Sequence, residues 1–228
     1  MIVGNFFDIL SKLHHYRIYN YAKNLDFNNL IDVGSHKGEF LSSFLRIEKI
    51  NKFYCFEPQN IIFKTLKDKF SKSKKIKLYN YALGKNLGKK KLYLSNLSST
   101  STMSKFNHRS KYLMIKNFLI DNKNKNIIFV KQTTIDHVFK GISLKKSFLK
   151  IDVEGFEINV LKGAQKKISE VKYLLVEQQI LNQYQNNFHQ VNLFLVKKNF
   201  EIVKNFYFPT LHYKDVLYRN KNNPQQHT

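Results

Sequence analysis

One pattern constrains this chain before any other. Five short apolar runs each stop at a carboxylate or an amide, and segments of helical period lie among them. "NLIDVG" (29–34) runs into Asp32, "KFYCFE" (52–57) into Glu57, and "KIKLYNYAL" (75–83) is broken at Asn80. "KSFLKID" (146–152) ends at Asp152, and "VKYLLVEQQ" (171–179) meets Glu177. "GEFLSSFLRIEKI" (38–50) and "PQNIIFKTLKDKF" (58–70) carry apolar residues at helical spacing, and Pro58 suits a first helical turn. This alternation predicts an α/β fold, a mostly parallel sheet with helices on both faces. In open sheets of that kind, ligands sit beyond the carboxyl ends of the strands. One acidic strand end is an ordinary turn residue. Five, in a chain with only 16 acids, point to one shared crevice.

The rest of the chain fills in that frame. A helix over residues 4–23 is expected to pack on its own domain, although its surface could meet a membrane or a partner. "GKNLGKKKLYLS" reads as a hairpin or edge strand, and "NLSSTSTMS" (96–104) as a polar loop. Residues 96–125 read as an acceptor-side insertion or lid. "NIIFVKQT" returns to strand, and "TTIDHVF" starts a short helix capped by Thr133 or Thr134. "FEINVLKGAQKKI" is helical with a break at Gly163, "HQVNLFLVKK" is a helix, and "FEIVKNFYF" and "HYKDVLYRN" are strands. The expected organisation is an N-terminal helical segment (1–27), one ligand-binding domain (28–219) and a disordered tail (220–228).

The net charge of +23 invites a nucleic-acid reading. Yet Arg, the better fork for phosphates and guanine edges, supplies only four of the 39 basic residues (Arg17, Arg46, Arg109 and Arg219). The joint excess of Lys, Asn, Ile, Phe and Tyr matches the codon bias of an A/T-rich genome. The charge is therefore read as compositional, with some attraction for anionic acceptors. Cys55, the single cysteine, excludes an internal disulfide and reads as a buried thiol inside "FYCFEP". No apolar stretch approaches the ~18–20 residues of a membrane helix, and the start shows no secretory pattern. A cytoplasmic protein is the default expectation.

The loop "DVGSHKG" narrows the ligand. Gly34 and Gly38 allow a tight turn and a close approach of the backbone. His36 stands where a dinucleotide loop has its middle glycine, so the pattern is not GxGxxG. Asp32 directly before the loop would repel a pyrophosphate but suits a ligand bearing an ammonium and a sulfonium. Glu57 can accept hydrogen bonds from both hydroxyls of a ribose. Asn80, with Ala82 beside it, can meet a base. An acid for an amino-acid moiety, an acid for a ribose and an amide for a base together describe S-adenosylmethionine (SAM).

"IDVGSHKGEF", "FYCFEP", "YNYALGKNLGKKKLYLS" and above all "LKIDVEGFEINVLKGA" resemble the FkbM family of class I methyltransferases. The resemblance runs from about residue 28 to residue 219. Ser35 and His36 replace the Ala and Asn common in the family's first motif. What it implies is a Rossmann-like, seven-stranded SAM-binding sheet with the last strand antiparallel. It also implies O-methyl transfer to a hydroxyl, often on a sugar, a glycan or a secondary metabolite. The cofactor contacts it suggests are Asp32, Gly34, Ser35, His36, Gly38, Glu57, Pro58, Asn80, Ala82 and Asp152.

A hydroxyl is a poor nucleophile, and a general base helps by ~10²–10⁴-fold. Asp152 is the preferred base, with Glu177 second and Glu154 divided between that role and support of the following helix dipole. Glu157 reads as helix support. His36, His108 and His137 read as loop histidines first. Asp152, Glu154 and Glu177 offer the oxygens Mg²⁺ prefers, though no spacing demands a metal. The single Cys and scattered His exclude a zinc site in practice. Two alternatives stay open: an RNA methyltransferase or binder, and an NAD(P)-dependent oxidoreductase. "DVEG" stands where base N-methyltransferases carry an aromatic-proline tetrapeptide, and the missing GxGxxG argues against the dinucleotide.

Overall fold

A computed structural model describes residues 2–94, 101–104, 127–180 and 188–223. The chain opens with helix α1 (Ile2–Ala22) and alternates β1 (Asn29–Val33), α2 (Glu39–Phe44), β2 (Lys52–Phe56), α3 (Asn60–Phe70) and β3 (Ile76–Tyr79). Then come β4 (Ala82–Leu83), β5 (Gly88–Tyr93), β6 (Ile127–Thr133), α4 (Ile135–Val138) and β7 (Ser147–Ile151). The last part holds α5 (Glu157–Lys162), a 3₁₀ turn (Lys167–Glu170), β8 (Tyr173–Gln179), α6 (Phe188–Lys197), β9 (Phe200–Tyr207) and β10 (Tyr213–Asn220). Seven strands form one sheet in the order β3-β2-β1-β7-β8-β10-β9, in which β10 runs antiparallel to both neighbours. This is the Rossmann-like arrangement the sequence implies.

The core follows from the two-residue period of strands buried on both faces. Leu30, Phe53, Cys55, Phe148 and Leu175 point to one face, where they meet Ile18 and Ala22 of α1 and Phe40, Leu41 and Phe44 of α2. Ile31, Val33, Leu149, Ile151, Leu174 and Val176 point to the other, against α4, α5 and α6. Cys55 is fully buried, and burial holds its thiol well above the usual range, so it is an inert core residue.

The third apolar run departs from its expected form. It splits at Asn80 into β3 in the main sheet and β4 in a second, three-stranded sheet of order β4-β6-β5. The cause is local: the Asn80 amide donates to the carbonyls of Glu57 (2.9 Å) and Pro58 (3.2 Å), turning the chain off the sheet. The "GKNLGKKKLYLS" run is the edge strand β5, antiparallel to β6. Thr134 caps α4, its Oγ1 accepting from the His137 amide at 3.1 Å, and the helix after β7 stops at Gly163. Most of the expected lid, with His108, and the last five residues lie outside the described residues.

Candidate active site

Parallel strands in register bring their acids together. Asp32 of β1 lies beside Cys55 of β2 and Lys150 of β7. Glu177 of β8 lies opposite Asp215 of β10. The strand tips open into a cleft of about 1120 Å³. Gly34, Ser35, His36, Gly38, Glu57, Pro58, Asp152, Glu154 and Glu177 all line it. Asp32, Asn80 and Ala82, expected at the same ligand, do not.

The glycine loop shows why it must be glycine. Gly34 has φ 83°, and a Cβ there would lie 1.9 Å from the Asp152 carbonyl oxygen. The first turn therefore crosses hard against the end of β7, bringing the two motifs together. Gly38 has φ 84° and would clash with Phe70 at 2.3 Å. Between them His36 adopts a left-handed backbone, φ 48°, and its amide donates to Glu57 Oε2 at 3.1 Å. Glu57 Oε1 accepts from the Gln59 amide at 2.8 Å. Burial pushes Glu57 up to about 7, so it exchanges its proton near neutrality.

Asp32 lies below the cleft rather than on its wall. Its side chain is fully buried, with Oδ1 3.3 Å from the Lys150 ammonium. The same ammonium reaches Asp152 Oδ2 at 3.1 Å and donates to the Gly34 carbonyl at 3.2 Å. Burial pulls Lys150 down, but Asp152 and Asp32 outweigh it and hold the ammonium charged. Burial raises Asp32 even against the Lys150 charge. Asp32 thus sits beneath the cleft floor as one side of an Asp–Lys–Asp bridge, and Asp152 is the side that faces the cleft. Lys150 is the functional residue the sequence reading missed. Its signal was available: a lone cation inside a run that a doubly covered sheet must bury.

Asp152, Glu154 and Glu177 each bring a carboxylate oxygen within 4.8 Å of the others. Burial, then the charges of Asp152 and Glu154, raise Glu177 well above the usual carboxylate range. The three form one carboxylate unit at the cleft floor. Their geometry could also hold a cation, but no comparison supports Mg²⁺ here. The loop that carries Glu154 is braced from two sides. Thr102 Oγ1 donates to the Glu154 carbonyl and Ser104 Oγ to that of Gly155. Glu157 Oε1 accepts from the amides of Val153 (3.3 Å) and Gly155 (2.9 Å). Glu157 is therefore the brace of this loop, buried and pushed up to about 7.

The other wall of the cleft is α1. His14 Nε2 meets Asp215 Oδ2 at 2.7 Å in the interior, and Arg17 donates to the Tyr207 carbonyl at 3.0 Å. Pinned this way, the helix presents His15, Tyr16 and Tyr19 to the cleft. Burial and the Lys150 charge hold His15 down to about 4, so it is neutral near pH 7. Among the described residues the cleft carries six carboxylates (Asp8, Glu39, Glu57, Asp152, Glu154, Glu177). It carries five fixed cations (Lys12, Lys37, Arg46, Lys69, Lys150). In a chain of net charge +23, the cleft gathers acids and fixed cations in nearly equal number.

The methyltransferase FkbM domain model matches residues 32–202, three quarters of the chain. The chain belongs to the FkbM methyltransferase family. The match takes in the glycine loop, Glu57 and the Asp152–Gly155 segment of the cleft. A search of curated proteins finds no match. Among solved structures, the chain is similar to a SAM-dependent methyltransferase from Leishmania major at 8% identity and TM-score 0.52. That likeness covers 96% of this chain and 76% of the other. The methyltransferase domain of a bacterial Hen1 protein gives 10% identity and TM-score 0.51, covering 92% and 98%. A protein of the NADB-Rossmann superfamily from Streptococcus agalactiae gives 15% and 0.50, covering 94% and 70%. At these identities the likeness is one of fold. The family carries the activity: this is a SAM-dependent methyltransferase, and the dinucleotide alternative falls away. No described helix is long and apolar enough to cross a membrane.

Proposed function

We propose that this FkbM protein transfers the methyl group of SAM to a hydroxyl of a sugar, glycan or secondary-metabolite acceptor. One observation carries the reading. The acids and glycines of four strand ends converge on one cleft, which gathers six of the chain's 16 acids. Carboxylates suit a ligand carrying a sulfonium and an ammonium.

The residues present fit the cofactor. Gly34, Ser35, His36 and Gly38 leave backbone room at the loop, and Glu57 is recessed among amides where a ribose edge would exchange with them. Pro58 follows Glu57 on the same wall. Asp152 is the acid nearest the transferring group on this reading. Asp32 acts through Lys150, fixing Asp152 rather than touching the ligand, and Asn80 with Ala82 shapes the base side through the turn at Glu57 and Pro58. When bound, SAM supplies an electrophilic methyl group. The protein must align the acceptor oxygen with it, a contribution of roughly 7–11 kcal/mol in well-oriented systems.

The proton of the acceptor hydroxyl goes to the carboxylate unit of Asp152, Glu154 and Glu177. The Lys150 ammonium lies 3.1 Å from Asp152 Oδ2 and fixes its orientation. Burial and the neighbouring carboxylates raise the proton affinity of Glu177. Asp152 therefore positions and polarises the hydroxyl, while Glu177 stores the proton. Each keeps the catalytic role its strand end suggests, with the division of labour set by Lys150.

Calorimetric titration with S-adenosylhomocysteine (SAH) tests the cofactor half. Micromolar binding is expected, weakened about tenfold or more in Glu57→Ala. A wild-type protein that binds no SAH sinks the reading. Transfer of a carbon-13 methyl tests the acceptor atom, because O-methyl and N-methyl carbons resonate apart. An N-methyl product overturns the hydroxyl assignment alone.

A further inference from the structure

Helix α1 has two apolar faces, and only one of them is used by the fold. His14, Ile18 and Ala22 recur at helical spacing and are 0–2% exposed against the sheet. Ile9, Leu13 and Tyr16 form a second stripe, also at helical spacing, on the side turned away from the core. They are 55%, 52% and 50% exposed, yet all three line the same cleft as Asp152 and Glu177. Exposed single hydrophobics need no explanation, but a contiguous stripe at the mouth of a catalytic cleft does.

The stripe ends in a braced aromatic platform. The Tyr16 ring stacks on Tyr19 with centroids 6.0 Å apart and planes 28° from parallel. Tyr19 is held edge-on by buried Phe44 at 6.4 Å and 80°, and Lys23 covers it from 5.8 Å. Tyr16 is thus the free outer plate of a stack fixed to the core. Hydrogen-bonding groups stand beside it on the same helix: Asp8, Ser11 and Lys12 all line the cleft.

Resting on the methyltransferase reading above, we infer that this face of α1 is the acceptor subsite. Its occupant is an uncharged sugar ring stacked on Tyr16, with its hydroxyls met by Asp8, Ser11 and Lys12. Three observations select that occupant. A saturated ring with an apolar face and a hydroxyl edge matches a stripe interleaved with donors and acceptors. A polyphosphate such as RNA would have to bring its phosphates up to the carboxylate cluster of Asp152, Glu154 and Glu177. A flat lipid surface does not match a stripe that lines the wall of a cleft. Continuity of the stripe with the cleft places the ring within the same space as the carboxylate unit, so the bound sugar is the one methylated.

The test uses the full chain saturated with SAH, so failure of the cofactor reading is visible first as absent SAH binding. Neutral tetrasaccharides of glucose, mannose, galactose and N-acetylglucosamine are then titrated, alongside a ten-residue oligouridylate and vesicles of phosphatidylglycerol. At least one tetrasaccharide is expected to bind, with affinity reduced about fivefold or more in Tyr16→Ala. Leu13→Ser should weaken it less, and Ile61→Ala, an exposed position on α3 outside the cleft, should leave both sugar and SAH binding unchanged. SAH affinity should survive Tyr16→Ala, which also reports that the variant is folded. The inference is overturned if no tetrasaccharide binds the SAH complex, or if binding ignores Tyr16. Tyr16-dependent binding of the oligouridylate or the vesicles instead of sugar overturns it equally.

Discussion

The two walls of the cleft are built in opposite ways. The strand-end wall is a set of short turns, where Asp152, Glu154 and Glu177 are held within 4.8 Å of one another by sheet register. The α1 wall is one helix laid across the sheet edge from more than a hundred residues away in sequence, pinned by His14 to Asp215 at 2.7 Å. The first is set by strand register and short turns, the second by long-range hydrogen bonds from His14 and Arg17. On the function proposed above, chemistry falls to the wall whose geometry is fixed by many hydrogen bonds, and recognition to the wall that can vary without disturbing them.

The sharpest way to break this comparison is to remove the proton acceptor. Glu177→Gln is expected to lower turnover by ~10²–10⁴-fold while SAH affinity stays within about twofold. Asp152→Asn should likewise lose turnover and keep SAH. Unchanged turnover in both variants would take the chemistry off the strand-end wall.

Next in size is the bridge beneath the floor. Lys150→Met leaves Asp32 buried without its partner and should cost about 3–5 kcal/mol of unfolding free energy, read by urea denaturation. Adding Asp32→Asn to that variant should recover much of the loss. No recovery would show that Lys150 serves the fold through packing rather than charge.

A smaller effect should come from pH. Burial raises Glu57 to about 7, and a ribose edge needs its ionised form as acceptor. SAH affinity should therefore rise about tenfold between about pH 6 and about pH 8, and the rise should vanish in Glu57→Gln. The smallest concerns stability. Glu157 titrates near 7 when folded and near 4.5 when unfolded, because burial disfavours its charge. Its contribution is present below about pH 4.5 and is lost as pH rises through 7. The melting temperature of the cofactor-free protein should fall over that window, and Glu157→Gln should flatten part of the fall.

Much of the strand-end wall was legible in the sequence because strand period and turn chemistry are local. Gly34, Gly38, Glu57, Asp152 and Glu177 could be placed from runs of six or seven residues, and they meet because parallel strands start together. Asp32 was placed at the right strand, but its depth below the cleft was not legible. Its sequence position is that of a ligand contact, but only register against β7 puts Lys150 beside it. Asn80 ends its strand as expected, yet its amide caps the Glu57–Pro58 turn rather than opening to the cleft.

By itself the sequence determined the order of strands and helices, the glycine turn and the acids at the strand tips, all set by interactions within a few residues. It also determined family membership, which those same short motifs carry. Only the tertiary structure decided which acid faces the ligand, where the buried cation sits and that α1 closes the cleft. Those outcomes depend on pairings such as Asp32 with Lys150 and His14 with Asp215. Side chains paired across a hundred or more residues leave no local period to read, because the attraction between them acts only once the sheet has brought them within about 3 Å.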